Sequence, residues 1–332
     1  MTLENKIVIF SSLGDLLSDK KSENMRLEWA ARAKNENAWF TEDNVMLAIE
    51  NISKCFLNEE KLRSFTKDLQ KSNTPKVVGI VAAGNIPFVG LHDLLCVLLA
   101  GHKAMIKLSS SDSVLMKLFI GKLIEIEPKF EEQIIIAERL NAADAYIATG
   151  SDNSARYFEY YFGKKPSIIR KNRSSIAVLD GSESTMDLRN LGNDIFRYFG
   201  LGCRNVSKLY VPHGYKFDTF FEAIEYWNTI QIHHKYNNNY DYNKSIYLVN
   251  GDKHLDNGFL LLKEDQRLVS PLAVVFSEEY KNKTELDQKL GLYKDKIQCI
   301  VGHSYVPFGQ SQTPKLKDYA DGINTLEFLS SI

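Results

Sequence analysis

The 332-residue chain is long enough for two ordinary domains, and its 44% hydrophobic content can supply a core for each. Lys and Arg number 41 against 42 Asp and Glu, and they are dispersed, which excludes the electrostatic footprint of a protein that binds nucleic acid or an anionic membrane. Cys55, Cys96, Cys203 and Cys299 stand far apart with no CxxC pair, which excludes a zinc knuckle or disulfide framework and leaves them reduced.

The opening stretch "MTLENKIVIF" carries charged residues before a short apolar run. It fits neither a signal peptide nor a spanning helix, so a cytoplasmic protein without membrane insertion is expected. From Lys21 to about Ser72, apolar residues such as Met25, Trp29, Ala30, Phe40, Val45, Ala48 and Ile49 recur at three-to-four spacing. An amphipathic helical cap over residues 1–74 follows, as part of the first domain.

At Pro75 the pattern changes. "KVVGIVAA" is a β-branched, uncharged run of the kind that forms a strand buried on both faces. Pro87 marks the first turn of a buried helix, "FVGLHDLLCVLLAG", which Gly101 closes, and "HKAMIKLSSSD" alternates like a second strand. The helix "SVLMKLFIGKLIEI", the strands "QIIIA" and "AYIATGS" and the helix "DNSARYFEYYF" repeat the alternation, and "PSIIRKNRSSIAVLDG" reads as a strand pair. Such an order predicts an open, mostly parallel sheet with helices on both faces and ligands at the carboxyl ends of its strands. After Gly181 come the helix "MDLRNLGNDIFRYFG", Cys203, the strand "VSKLYVP", the helix "FDTFFEAIEYWNTI" and the strands "SIYLVN" and "PLAVVF". Between the last helix and strands, "HHKYNNNYDYNKS" is polar and rich in Asn, which predicts a loop or exposed hairpin.

Three strand ends carry groups suited to a nucleotide. "AAGNIPFVG" sets Gly84 and Asn85 after the first strand, where the Asn amide either points into the ligand crevice or builds a turn or cap. "IKLSSSD" offers Lys107 and Ser109 for ribose or phosphate, or simply to solvent. "ATGSDNSAR" brings Thr149, Gly150 and Ser151 to a helix start, which suits an anion or an ordinary N-cap. No GxGxxG follows any strand, so the usual dinucleotide fingerprint is absent. Cys96, Cys299 and Cys55 read as buried, inert thiols. Cys203, with Gly200 and Gly202 before it and Arg204 after it, reads equally as a buried hydrophobe or as an activated nucleophile. His233 and His234, taken as strand neighbours, point to opposite faces and cannot share a ligand, and with His303 they read as solvated or satisfied, so no metal is expected.

Taken in order, "GNIPFVGLHDLLCVLLAGHKAMIKLSS", "YIATGS", "GLGCRNVSKLYVP" and the late "PLAVVF" and "VPFGQSQTPKLKDY" resemble the aldehyde dehydrogenase superfamily. The wording is most similar to its fatty-acyl-CoA reductases of the LuxC type, from about Lys76 to the end. The resemblance implies two open, mostly parallel α/β domains with the active site in the crevice between them. Residues 75–181 would form the nucleotide-binding domain, 182–305 the catalytic domain, and 306–332 a segment returning to the first.

By the same resemblance Cys203 is the nucleophile and Asn85 the oxyanion donor, while Lys107, Ser109, Ser110, Thr149, Gly150 and Ser151 hold the cofactor. The implied reaction is NADPH-dependent reduction of an acyl-CoA or acyl-carrier thioester to the aldehyde. Ile169 falls where hydrolytic relatives carry the glutamate that activates water, which fits reduction. Arg267 falls where a ribose-binding glutamate is expected. Ser110 replaces a carboxylate that would repel a 2′-phosphate, which favours NADP(H), with NAD(H) as the alternative. The short chain leaves little room for a tetramer-building hairpin, so a homodimer or monomer is expected. The rival readings are an acyl-phosphate reductase on the same scaffold and a degenerate nucleotide-binding partner subunit.

Overall fold

Short runs rich in β-branched and apolar residues set the two sheets of this chain, with a few buried polar residues such as Arg170 and Ser175 among them. The computed structural model describes residues 1–69 and 74–332. The end of the predicted helical stretch at Ser72 lies outside the described residues. The chain divides into two units, Met1–Asn172 with Pro314–Ile332, and Arg173–Thr313.

The first unit begins with helices α1 (Leu3–Ser18), α2 (Glu23–Glu36), α3 (Glu42–Asn51) and α4 (Glu59–Thr66). The first of these falls within the expected helical cap of residues 1–74, although its own stretch reads only as a short apolar run. Its buried Ile7, Phe10, Leu13 and Leu17 keep helical spacing, while the β-branched "KIVI" obscures that period. The Thr2 hydroxyl caps it by accepting the Asn5 N–H at 3.1 Å.

The sheet of this unit follows from β1 (Val77–Val81), β2 (Lys103–Lys107), β3 (Ile134–Ile136), β4 (Ala145–Thr149) and β5 (Ser167–Arg170), in spatial order β3-β2-β1-β4-β5. All its pairings are parallel; Val78 of β1, for example, is opposite Ala104 of β2 and Ala145 of β4. Helices α5 (Leu91–Leu99), α6 (Ser113–Ile126) and α7 (Asp152–Phe162) make the crossovers, and α12 (Thr325–Ser331) closes the unit. The chain builds outward from β1 to β3 and then returns to β4 on the other side of β1, so the order reverses between β1 and β4.

Two sequence expectations change here. The helix after β1 begins at Leu91, not at Pro87, because Phe88 has φ +63° and the left-handed region cannot continue a right-handed helix. The predicted pair within 166–181 is no pair: β5 belongs to the first sheet and β6 (Ser174–Val178) to the second.

The second unit's sheet also contains β7 (Val206–Pro212), β8 (Leu255–Asp256), β9 (Leu261–Glu264), β10 (Val274–Tyr280) and β11 (Ile297–Val301), in the order β11-β6-β7-β10-β9-β8. Only the β8 pairing with β9 is antiparallel among the described residues. Its helices are α8 (Thr185–Phe196), α9 (Asp218–Ile224), α10 (His234–Asn250) and α11 (Lys283–Leu292). The expected Asn-rich loop and the expected strand "SIYLVN" are together the 17-residue α10. Asn disfavours helix, but Tyr236, Tyr240, Asn243 and Tyr247 recur every three or four residues and bury as one stripe. The Tyr236 hydroxyl donates to Phe259 O at 2.9 Å and the Asn243 amide to Leu272 O at 2.9 Å, so tertiary partners override propensity. Among the described residues no helix is long and apolar enough to cross a membrane.

Candidate active site

In the first unit, Asn85, Lys107 and Thr149 stand at or just past the carboxyl ends of β1, β2 and β4. The middle strand of these three is β1. In open α/β sheets the point where strand order reverses is where loops diverge and a ligand can enter, and here that point lies between β1 and β4. Asn85 and Lys107 are exposed. Ser151 caps α7 by accepting the Ser154 N–H at 3.2 Å, and the preceding Gly150 N–H reaches Arg170 O at 3.4 Å. Asn85 does not cap a helix, since the residue at the start of α5 is Gly90.

The loops after β1 and β2 are locked together. Ala82 N–H donates to Lys107 O at 3.1 Å. A Cβ on Gly84 would lie 2.7 Å from the Ser109 Cβ and closer still to its Oγ, so only glycine permits this approach. Phe88 N–H donates to the Asp112 carboxylate at 2.7 Å. Asp112 is 1% exposed, and that burial pushes its carboxyl up to about 8.

Behind the strand ends, Arg170 and Asp93 form a buried ion pair at 2.6 Å, with the guanidinium also donating to Thr325 Oγ1 at 3.0 Å. Ile169, its neighbour on β5, is half-buried opposite Ala148. That position therefore offers no carboxylate.

In the second unit the chain leaves α8 through Tyr198 (φ +52°), Phe199 (φ +58°) and Gly200 (φ +79°) and turns over residues 202–205 into β7. Two consecutive non-glycine residues in the left-handed region are strained, and such strain persists only where surroundings impose it. Phe199 is packed against His233, ring centroids 4.2 Å apart, and Tyr198 is buried. Asn205, also buried, knits the turn. Its amide donates to Asp194 O, Ile195 O and Arg197 O at 3.1, 3.2 and 2.8 Å, and its Oδ1 accepts the Gly202 N–H at 2.8 Å.

Cys203 emerges from this turn exposed. Its carbonyl accepts from the Ser175 hydroxyl at 3.0 Å. The turn is also braced by residues 307–313, where Arg204 Nε donates to Ser311 O at 2.6 Å and the buried Asp194 carboxylate accepts the N–H groups of Gly309 and Ser311 at 2.6 and 2.9 Å. Of the other cysteines, Cys96 is buried, and desolvation raises its thiol well above the ordinary value, whereas Cys55 and Cys299 are partly exposed.

The chain matches the family described as acyl-CoA reductase (LuxC) over residues 22–223, more than half of its length. It belongs to the LuxC acyl-CoA reductase family. Among solved structures, a betaine aldehyde dehydrogenase from Staphylococcus aureus in complex with NAD+ is similar with TM-score 0.67 and 13% identity, over 91% of this chain and 71% of that one. An NAD-dependent aldehyde dehydrogenase from Sinorhizobium meliloti gives TM-score 0.66 and 11% identity over 94% and 72%. An E. coli NADP dependent enzyme gives 0.66 and 12% over 91% and 73%. These likenesses establish the aldehyde dehydrogenase-like fold. No curated protein matches the chain.

Among the residues that the LuxC resemblance singles out, Arg267 is engaged by Asp265 at 2.6 Å and lies 5.0 Å over the Phe276 ring, within the second unit. His233 and His234 are not on a strand: His233 caps α10 and His234 is its first residue. His303 lies 3.0 Å from Asp180, which holds its imidazole above the usual range. Asp112, Ser175, Asp194 and Asn205 escaped the sequence reading. Each is a polar residue in a locally ordinary context, and the signal that distinguishes it, a buried partner distant in sequence or a turn folded back on itself, exists only in three dimensions.

Proposed function

We propose that this LuxC family member reduces an acyl-CoA or acyl-carrier thioester to the aldehyde with NADPH, through a covalent thioester on Cys203. The observation that carries the reading is the exposed Cys203 on a strained turn tied down by buried Asn205 and Ser175. Sulfur presented outward on a rigid support is what a nucleophile requires.

The Cys203 thiol gives up its proton to solvent, its sulfur bonds to the thioester carbonyl carbon, and the carbonyl electron pair moves onto oxygen. The Asn85 carboxamide and the Cys203 N–H donate to that oxyanion; one such donor is typically worth about 10²–10³ in rate. As the carbonyl re-forms, the carbon–sulfur bond to coenzyme A breaks and a stable thiolate leaves, so no strong acid is needed. Ile169 offers no base to activate water, so the acyl-enzyme is spared hydrolysis.

The residues proposed to hold the nicotinamide nucleotide fit such a group. Lys107, Ser109 and Ser110 end or follow β2 and Thr149, Gly150 and Ser151 end or follow β4, on either side of β1 where the strand order reverses, and α7 begins after β4 with its dipole suited to phosphate. Lys107 and the absence of a carboxylate at Ser110 favour the 2′-phosphate of NADPH. When bound, the reduced nicotinamide supplies hydride to the acyl carbon.

The test is Cys203→Ala. Coenzyme A release and NADPH oxidation should both vanish while NADPH binding, followed by fluorescence, persists. Turnover in that variant removes Cys203 as the nucleophile.

A further inference from the structure

An aspartate at the position preceding a helix ordinarily accepts hydrogen bonds from that helix's own first amides. Asp112 precedes α6 and makes no such bond. Glu36, from α2, does it instead, accepting the Ser113 and Val114 N–H groups at 3.0 Å each and the Ser113 hydroxyl at 2.5 Å. Asp112 is thereby released to turn toward the loop after β1, where it accepts the Phe88 N–H at 2.7 Å and faces the Val89 N–H.

The loop it grips is the one that bears Asn85. Phe88 holds a left-handed φ of +63°, a conformation a phenylalanine keeps only when held there. The other carboxyl oxygen of Asp112 is buried without a hydrogen-bond partner, a cost that a residue serving only to cap a helix would not carry. The same stretch, residues 107–112, is pressed against the Asn85 loop at Gly84 and Ala82.

We propose that Asp112 is a positioning residue for Asn85: by holding the Phe88 turn in its left-handed form, it aims the Asn85 carboxamide and ties it to the strand end that carries Lys107 and Ser109. This rests on the reading of Asn85 as oxyanion donor.

The measurement is a single turnover of coenzyme A release from an acyl-CoA with no nicotinamide nucleotide present, so that only acylation of Cys203 is read. Asp112→Ala should slow release by about tenfold, part of what a whole oxyanion donor contributes. Asp112→Asn, which keeps an oxygen for Phe88 N–H, should stay within about threefold of the native rate. In an Asn85→Ala background, adding Asp112→Ala should change nothing further, because a residue acting through Asn85 has nothing left to position. A purely structural brace would instead slow both backgrounds by the same factor.

Should Asp112→Ala fail to fold, Asp112→Ser carries the same expectations: serine is a good cap for α6 and too short to reach Phe88. If Asn85→Ala is slow while the Asp112 variants release coenzyme A normally, or if the two effects multiply, the positioning role is overturned. If Asn85→Ala itself releases coenzyme A at the native rate, the oxyanion assignment falls and the positioning role falls with it.

Discussion

The Ser175 hydroxyl donates to the carbonyl of Cys203 across 3.0 Å, and the same oxygen accepts the Cys299 N–H at 3.1 Å. Ser175 sits where both of its ladders slip: the pairing of β6 with β7 shifts between Ser175 and Ile176, and that with β11 shifts between Ile297 and Ile300. Bulges free backbone and side-chain groups from the regular ladder and re-aim them, and here a fully buried hydroxyl is released toward the cysteine turn.

Ser175→Ala removes the hydrogen bond from the β6 hydroxyl to the Cys203 carbonyl. The expected result is a drop in the rate of Cys203 alkylation by iodoacetamide on the order of tenfold, the equivalent of ~1.4 kcal/mol. Stability should fall by about 1–3 kcal/mol, because the buried hydroxyl's bonds to the Cys203 carbonyl and from the Cys299 N–H are both lost. An alkylation rate equal to that of the native protein would show that the turn holds its shape without β6.

Asp194 makes a second prediction for the same turn. Its carboxylate accepts the amides of Gly309 and Ser311, and burial raises its carboxyl above the usual range. Asp194→Ala leaves the Gly309 and Ser311 backbone donors unsatisfied, at a cost of about 1–3 kcal/mol for each that stays buried. The Gly309 and Ser311 amides should then exchange hydrogen much faster, and because Arg204 Nε donates to Ser311 O, the loosening should reach the residue beside Cys203. Unchanged exchange at those two amides would contradict the bracing role of Asp194.

The Arg170–Asp93 pair tests how the first unit is held. Both side chains are nearly excluded from water, at 3% and 6% exposure, and the pair joins β5, α5 and, through Thr325, α12. Asp93→Asn or Arg170→Met alone should destabilise by about 3–5 kcal/mol, since each leaves a charge buried without its partner. Replacing both by apolar residues of similar size should recover most of that loss in urea unfolding. A double variant no better than the single ones would mean that the pair contributes through geometry rather than charge.

What was legible beforehand divides along physical lines. The strands of the first sheet announce themselves through short runs rich in apolar and β-branched residues such as "VVGIV", as do β6, β7 and β10 of the second, whereas β8 and β9 are too short and polar to stand out. Legible too are α6 and α7, whose ends at Ser113–Ile126 and Asp152–Phe162 coincide with changes in local pattern. By contrast α10 was hidden, because eight Asn, Asp and Lys positions within it argue locally for a loop while its tyrosine stripe only gains meaning against Phe259 and Asp256. Asp112 was hidden for the opposite reason: "SSSDS" is a good local cap signal, and the diversion of its carboxylate depends on Glu36, which is 76 residues away by the numbering. Cys203 stood out by its glycine neighbours, but its exposure depends on Ser175 and Asn205, partners whose bonds no spacing rule encodes.

The last prediction concerns pH. Burial is the first cause that pushes Asp112 up to about 8, with Glu36 adding repulsion. An unfolded aspartate titrates near 3.9, so the folded state binds this proton more tightly than the unfolded state does between those two values. The stability it contributes is therefore complete below about pH 4 and is lost as pH rises through about 8, with a slope of about 1.4 kcal/mol per pH unit for this one group. Asp112→Asn cannot ionise, so it lacks that slope while every other titrating group remains the same. Urea midpoints measured from pH 5 to pH 9 should converge with the native protein at the acid end, and at the alkaline end the variant should be the more stable of the two. Two parallel curves would mean that Asp112 is already ionised in the folded protein at pH 5, and that its second oxygen has found a partner.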